Sequence, residues 1–432
     1  MREQNKTITR TGHREEQMAT QQGNQPAATT PKRRTFLGYL ALMGPAFVVG
    51  AWQFGPGNLT TAVQAGSRFD YTLVWVIAVS TILMIFFTDM SVRLGIATPS
   101  SLITSIKEHL GRPVGVLAGV GVFGITLMFS VGNAAGSGLG LSLVFGGSPV
   151  LWTVACTAAV AFVLAFRNVY GIIEKALLAI VALMAVAFIA SAVVAQPDWY
   201  RALEGAVPTL PAGSEILIVA LVGTNFSINA AFYTSYGIKE NKRTRADYRD
   251  ITLVDTIPGI VAPGIMTALV ILVAAAVLGK TGGDAASIGA LASVFEPLAG
   301  PVGSMLFALG LSGAAFSSMI ANATAGGTMF SDAMGRGANA GSPAARIVTG
   351  VILAFGLVVT LTFQTSPVGL IVIAQSLTVL IAPLLGALLF IMSNKAAVMG
   401  ELRNSWWQNL FGIIGMVAIV ASSIRLITTL IG

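Results

Sequence analysis

The chain has 432 residues, of which 55% are hydrophobic and only 10% charged, where a soluble domain carries about 25% charged residues. That composition excludes an ordinary water-soluble enzyme and defines a polytopic membrane protein whose elements are sized by the bilayer. A net charge of +7 does not indicate nucleic acid as a partner, because the Lys and Arg residues lie in short loops between apolar runs, where topology rather than a binding face places them.

Cys156 is the single cysteine and lies in an apolar run, so a disulfide framework is ruled out. The two histidines, His13 and His109, are too far apart to build a metal cluster. No nucleophile and base pair, phosphate loop or metal-ligand set stands at workable spacing, so the protein is not expected to be an enzyme.

In chain order, residues 1–34 are polar and close on Pro31-Lys32-Arg33-Arg34, which reads as a disordered cytoplasmic tail with a basic stop. The rest, 35–432, reads as one all-α transmembrane domain. Apolar runs long enough to span a bilayer, about 20 residues each, recur near 36–66, 71–94, 114–145, 149–166, 171–195, 213–236, 251–279, 300–330, 345–364, 367–393 and 408–431. They predict eleven transmembrane helices. With the N-terminus inside, 21 of the 25 Lys and Arg fall on the cytoplasmic side and 3 on the other, with Arg425 in the last span. That asymmetry predicts a cytoplasmic N-terminus and an extracytoplasmic C-terminus, in a bacterial inner membrane.

Two of these runs are interrupted. The first contains Gly55-Pro56-Gly57-Asn58, and the sixth contains Gly223-Thr224-Asn225-Phe226-Ser227-Ile228-Asn229. Spans one and six hold equivalent places if 36–195 and 213–393 are two five-helix copies, with 408–431 as an added eleventh helix. Five is odd, so the second copy starts from the opposite side and the repeats are inverted. Paired broken helices in corresponding positions predict a binding site near the midplane. Each break is expected to offer carbonyls and amides to a cation or to the charged ends of an organic solute.

At these residues the chain resembles the Nramp family of divalent-metal transporters. Gly55-Pro56-Gly57-Asn58 stands where the family has Asp-Pro-Gly-Asn, followed by Val63-Gln64-Ala65-Gly66. Arg93-Leu94-Gly95-Ile96-Ala97-Thr98, Gly136-Ser137 with Leu141-Ser142-Leu143-Val144-Phe145-Gly146, and Ser393-Asn394-Lys395 with Met399-Gly400-Glu401-Leu402 extend the match. The resemblance implies the fold of the sodium-coupled amino-acid symporters, with discontinuous helices 1 and 6. It also shows what is missing. The family's metal-binding aspartate is Gly55 here, while its asparagine is kept as Asn58. The Met-Pro-His of the sixth span is Ser227-Ile228-Asn229, a later histidine aligns with Thr234, and the acid pair associated with proton movement aligns with Ser130 and Asn133.

Losing sulfur and carboxylate leaves amide, hydroxyl and carbonyl oxygens, a donor set suited to Mg, Ca or Mn. Mg²⁺ dehydrates reluctantly, so a neutral, widened site is expected to hold a largely hydrated ion. Gly55, Asn58, Thr224, Ser227, Asn229 and Gln375 form the expected site, with Asn58, Thr224 and Ser227 as water-mediated metal contacts. The expected function is a secondary transporter or facilitator of divalent cations, Mg²⁺ first with Mn²⁺ as companion, resembling the Nramp-related magnesium branch and without proton coupling. No resident cofactor is expected, only the transported cation and the lipid bilayer as partners. The alternatives are a proton-coupled transition-metal transporter of the Nramp type and an amino-acid carrier of the same fold. Asp89 is expected to pair with Arg93 one turn on, while Asp255 could attract cations or fix its loop.

Overall fold

The computed structural model describes residues 35–165, 182–183, 185–279, 292, 300–363 and 366–431. The expected tail, and residues 171–181 of the expected fifth span, lie outside the described residues. By their contacts the residues divide into two units, Met1–Ala41 and Leu42–Gly432. In the first unit the described part is one short helix, α1 (Phe36–Leu40), whose Thr35 hydroxyl accepts from the Gly38 N–H.

The second unit is helical throughout its described regular structure: α2 (Pro45–Gln53), α3 (Pro56–Phe69), α4 (Val74–Ala97), α5 (Leu102–Leu110), α6 (Arg112–Phe145), α7 (Pro149–Ala165), α8 (Ala185–Ala195), α9 (Trp199–Glu204), α10 (Glu215–Asn225), α11 (Ile228–Glu240), α12 (Ile257–Leu278), α13 (Pro301–Ala333), α14 (Pro343–Thr362), α15 (Pro367–Thr378), α16 (Ala382–Asn394) and α17 (Trp406–Ile431). An all-helical architecture is what hydrocarbon demands, since a helix satisfies its backbone hydrogen bonds within itself. Among the described residues, eight helices are long and apolar enough to cross a membrane, counting α10 with α11 and α15 with α16. The shorter α7 and α8, and the α2 and α3 pair, fall at three further places where spans are expected. The most extensive helix pairing joins α6 and α13, whose glycines, alanines and serines let two backbones approach closely.

Both expected breaks are present and both are narrower than the polar stretches that announce them. Only Phe54 and Gly55 separate α2 from α3. Pro56 opens α3, where its missing N–H costs nothing. Only Phe226 and Ser227 separate α10 from α11, so Thr224 sits in the last turn of one half-helix and Asn229 in the first turn of the other.

A third break was not expected. The run 367–393 reads as one span, yet Val379–Ile381 form a turn between α15 and α16. Pro383 is the cause, because a proline cannot donate to the carbonyl four residues back, here that of Val379. Ser423 of α17 donates to that carbonyl instead, at 2.7 Å.

Two buried acids hold the frame. Asp89 pairs with Arg93 at 2.8 Å, as expected, and also accepts from the Tyr248 hydroxyl and the Gln408 amide. Arg93 spends its remaining donors on the Leu402 carbonyl and Asn404. Such a fully bonded buried pair costs much to break and is poorly placed to carry cargo. Asp255 lies in a single π-helical turn, Thr252–Thr256, ahead of α12. Its carboxylate accepts from the N–H groups of Gly44, Ala46 and Phe47 at 2.8, 3.0 and 3.2 Å. It therefore caps the N-terminus of α2 from another helix, which satisfies orphan donors and complements the helix dipole.

Replacing Asp255 with Ala strips one buried donor, Ala46 N–H, and two part-buried ones of their acceptor, a buried loss of this kind costing about 1–3 kcal/mol. Thermal unfolding of the detergent-solubilised protein is expected to show a marked fall in melting temperature for Asp255→Ala, and a smaller one for Asp255→Asn, which keeps one acceptor oxygen.

Candidate functional site

The two breaks hold each other through side-chain amides. Asn58, in the first turn of α3, donates to the Gln53 carbonyl at 2.7 Å and so closes the end of α2. Gln53 in turn donates to the Asn225 carbonyl at 3.1 Å, tying the end of α2 to the end of α10. Asn225 reaches the other way, donating to Ser80 and Thr81 of α4 at 2.7 and 2.9 Å. Ser318 of α13 takes the Trp52 carbonyl at 3.0 Å.

Between them lies a small cavity lined by Trp52, Gln53, Gly55, Gly57, Asn58, Phe129, Asn133, Thr224, Ser227 and Gln375. Its volume of about 10 Å³ is room for roughly one water molecule. The expected widening is not present in this cavity. Trp52 and Phe129 meet edge to face with ring centroids 6.5 Å apart, and Trp52 meets Tyr233 in the same way.

Polar groups without partners are concentrated here. Asn58 Oδ1, Asn133 Nδ2 and both polar atoms of Gln375 are buried with no hydrogen-bond partner among the described residues. A buried polar atom left unpaired costs about 1–3 kcal/mol, and four of them belong to residues that line one cavity. The hydroxyls complete the set. Thr224 and Ser227 donate to the carbonyls of Leu221 and Thr224, which leaves their oxygens free to accept. The cavity thus presents neutral oxygen dipoles and amide donors without a formal charge. Among the described residues there is no group of three or more His, Cys, Asp or Glu side chains able to hold a metal.

Gln375 is positioned by close approach. A Cβ on Gly57 would stand 2.6 Å from its Nε2, and one on Gly132 would stand 2.5 Å from the same atom. Only glycine on α3 and on α6 leaves the amide its slot. Gly55 is equally tight, since a Cβ there would meet Ser318 Oγ at 2.7 Å. The aspartate that the family places at this position needs Ser318 to move.

Five of the six expected site residues, Gly55, Asn58, Thr224, Ser227 and Gln375, meet at this cavity. Asn229 lines a second, separate cavity. Asn133, expected only as a lost proton-pathway position, lines the same cavity. Ser130 and Thr234 donate to the Leu127 and Ala230 carbonyls of their own helices. Trp52, Gln53 and Phe129 were missed. Gln53 carried a signal, a polar residue at membrane depth directly before Gly55-Pro56-Gly57-Asn58; the two rings carried none, because aromatic residues are frequent throughout the spans.

Half-helices meeting around a buried polar cavity define the fold of a secondary transporter, and comparison with known proteins agrees. A manganese transporter of Eremococcus coleocola, solved with an aromatic bis-isothiourea compound, superposes with a TM-score of 0.74 over 92% of this chain and 88% of that one, at 18% identity. MhsT in complex with L-phenylalanine superposes at 0.51 with 16% identity, covering 88% and 98%. Residues 46–429 match the family described as Natural resistance-associated macrophage protein-like, and the chain belongs to this Nramp family. It is 28% identical over 409 residues to the divalent metal cation transporter MntH of Bacillus subtilis strain 168, covering 92% of this chain and 94% of the relative. The MntH protein of Caldanaerobacter subterraneus is 27% identical over 405 residues, covering 90% and 94%. Magnesium appears in neither of these relatives' names.

The two kinds of buried amide are distinguishable by stability. Gln53→Leu orphans the Asn225 carbonyl and is expected to lower the melting temperature. Gln375→Leu removes two atoms that already lack partners, and is expected to leave it unchanged or raise it.

Proposed function

We propose that this protein is a secondary transporter of divalent metal cations, working by alternating access around the Asn58, Asn133 and Gln375 cavity. The observation that carries the reading is the cluster of unpaired amide groups where the two broken helices meet. Family membership and relatives covering over nine-tenths of their own length support it. In this reading the body comprises eleven spans, two inverted five-helix repeats at 36–195 and 213–393 plus the helix at 408–431. They lie in a bacterial inner membrane with a cytoplasmic tail at 1–34.

Mn²⁺ is the ion on which two lines of support agree. The relatives' names specify divalent metal or manganese, and amide and hydroxyl oxygens suit a hard cation. The earlier expectation of magnesium is thereby displaced from first place, and the Nramp-type metal transporter held as its alternative fits the relatives better. Mg²⁺ remains as a second reading because the cavity has neither sulfur nor carboxylate. In the closed form only a stripped cation fits the cavity, so a hydrated ion belongs to a form in which the helices part. Membrane potential supplies about 2.3 kcal/mol per charge per 100 mV, doubled for a divalent ion. Ser130, Asn133 and Thr234 offer no titratable group, so metal entry is proposed to proceed without a proton passing through these positions.

Saturable Mn²⁺ uptake is expected in proteoliposomes with the interior negative. Asn58→Ala, which removes the unpaired oxygen and the closing bond to Gln53, is expected to weaken apparent affinity at least tenfold, equivalent to about 1.4 kcal/mol. An encapsulated pH dye should stay level during uptake. Acidification in proportion to metal would establish proton coupling, and heat released by an amino acid rather than by Mn²⁺ or Mg²⁺ would overturn the cation reading.

A further inference from the structure

We infer that the apolar chamber between α4, α10 and α17 is a lipid site, taking one acyl chain of a zwitterionic phospholipid whose phosphate meets Arg425 and whose primary ammonium meets Glu215. The inference rests on the chain lying in a bilayer and is independent of which ion the protein carries.

The chamber has a volume of about 520 Å³, within the roughly 300–1,000 Å³ of pockets that take a whole small molecule. On α17 its wall is formed by Gly415, Ala418, Ser422 and Arg425, each about one turn from the next, so the chamber follows that helix for about 15 Å. The α10 side runs the same way, from Glu215 at the Arg425 end to Phe226 at the second helix break. Polar side chains within the walls are already spent: Ser80 donates to the Val76 carbonyl and accepts from Asn225, and Ser422 donates to the Ala418 carbonyl. What remains is a long apolar slot parallel to the helices, which suits a flexible hydrocarbon chain rather than a compact polar solute.

The mouth is charged. Arg425 pairs with Glu215 at 2.7 Å, and its side chain is 57% exposed. That bond is the only one its guanidinium makes among the described residues, which leaves further N–H donors in the planar fork that matches a phosphate. An arginine inside an apolar span is costly unless a polar group meets it. Trp75 stands at the same mouth and donates its indole N–H to the Thr209 carbonyl at 3.0 Å, as an amphipathic ring does at headgroup depth. Charge then selects the lipid. A mouth with both signs complements a headgroup with both signs. A purely anionic headgroup brings its charge against the Glu215 carboxylate, and a quaternary ammonium has no N–H to give it.

Native mass spectrometry of the delipidated, detergent-purified protein tests this, with dioleoyl phosphatidylethanolamine, phosphatidylglycerol and phosphatidylcholine added singly. One ethanolamine lipid is expected to bind roughly tenfold more tightly than either other lipid, the difference made by about one hydrogen bond to a charged group. Arg425→Gln is expected to weaken that binding by a similar factor, and Glu215→Gln to erase the preference over the glycerol lipid. Ala418→Phe, which fills the slot and leaves the ion pair intact, is expected to weaken all three. Equal binding of the three lipids, tighter binding of the glycerol lipid, or affinity unchanged in Arg425→Gln or in Ala418→Phe would overturn the inference. A dimer that forms without lipid and is lost in Ala418→Phe would do the same, because a second copy would then cover the slot. The ranking of the three lipids on the wild-type protein decides by itself if a variant does not fold.

Discussion

The rest of the structure depends on one constraint: an interrupted helix in hydrocarbon must find partners for the backbone groups that it releases. Here they are found in series. Asn58 closes α2, Gln53 ties α2 to α10, Asn225 ties α10 to α4, and Ser318 takes the carbonyl of Trp52. Asp255 does the same for the far end of α2, and Ser423 for the break beneath Pro383. The outcome reverses a simple expectation. Released carbonyls are anticipated as the ligands, yet several of them already accept side-chain donors. What is left unpaired around the cavity is a group of side-chain amides.

A neutral site has a distinct electrostatic character. A carboxylate would offset the cost of stripping water from a divalent ion through its full charge, and it would also hold the ion against release. Oxygen dipoles alone give a shallower well. Ser318 Oγ stands in the space that a side chain at position 55 would enter, so an acid there would also require the Ser318 hydroxyl to turn aside.

The two breaks at Gly55 and at Phe226–Ser227 were legible because Pro, Gly, Asn and Ser are conspicuous inside apolar runs, and the pairing of Asp89 with Arg93 was legible because it is local. The break at Val379–Ile381 was equally announced, by Pro383 and by Gln375, Ser376 and Thr378 just before it, but the run 367–393 has the length of one ordinary span and was read as such. Asp255 could not be assigned from sequence, since its three donors lie some 210 positions away in the chain. That Asn133 lines the first cavity and Asn229 a different one could not be read for a similar reason. Spacing says that a residue is on a helix, whereas the cavity it meets depends on how that helix is rotated against three others. The fifth span lies partly outside the described residues.

Gln375 held between Gly57 and Gly132 has a mechanical consequence. The amide acts as a feeler gauge between three helices, with a clearance smaller than one methyl group on either side. Bringing α3 or α6 closer to α15 requires the Gln375 amide to turn aside into the cavity that it borders. The slot therefore ties the spacing of three helices to the position of one unpaired amide.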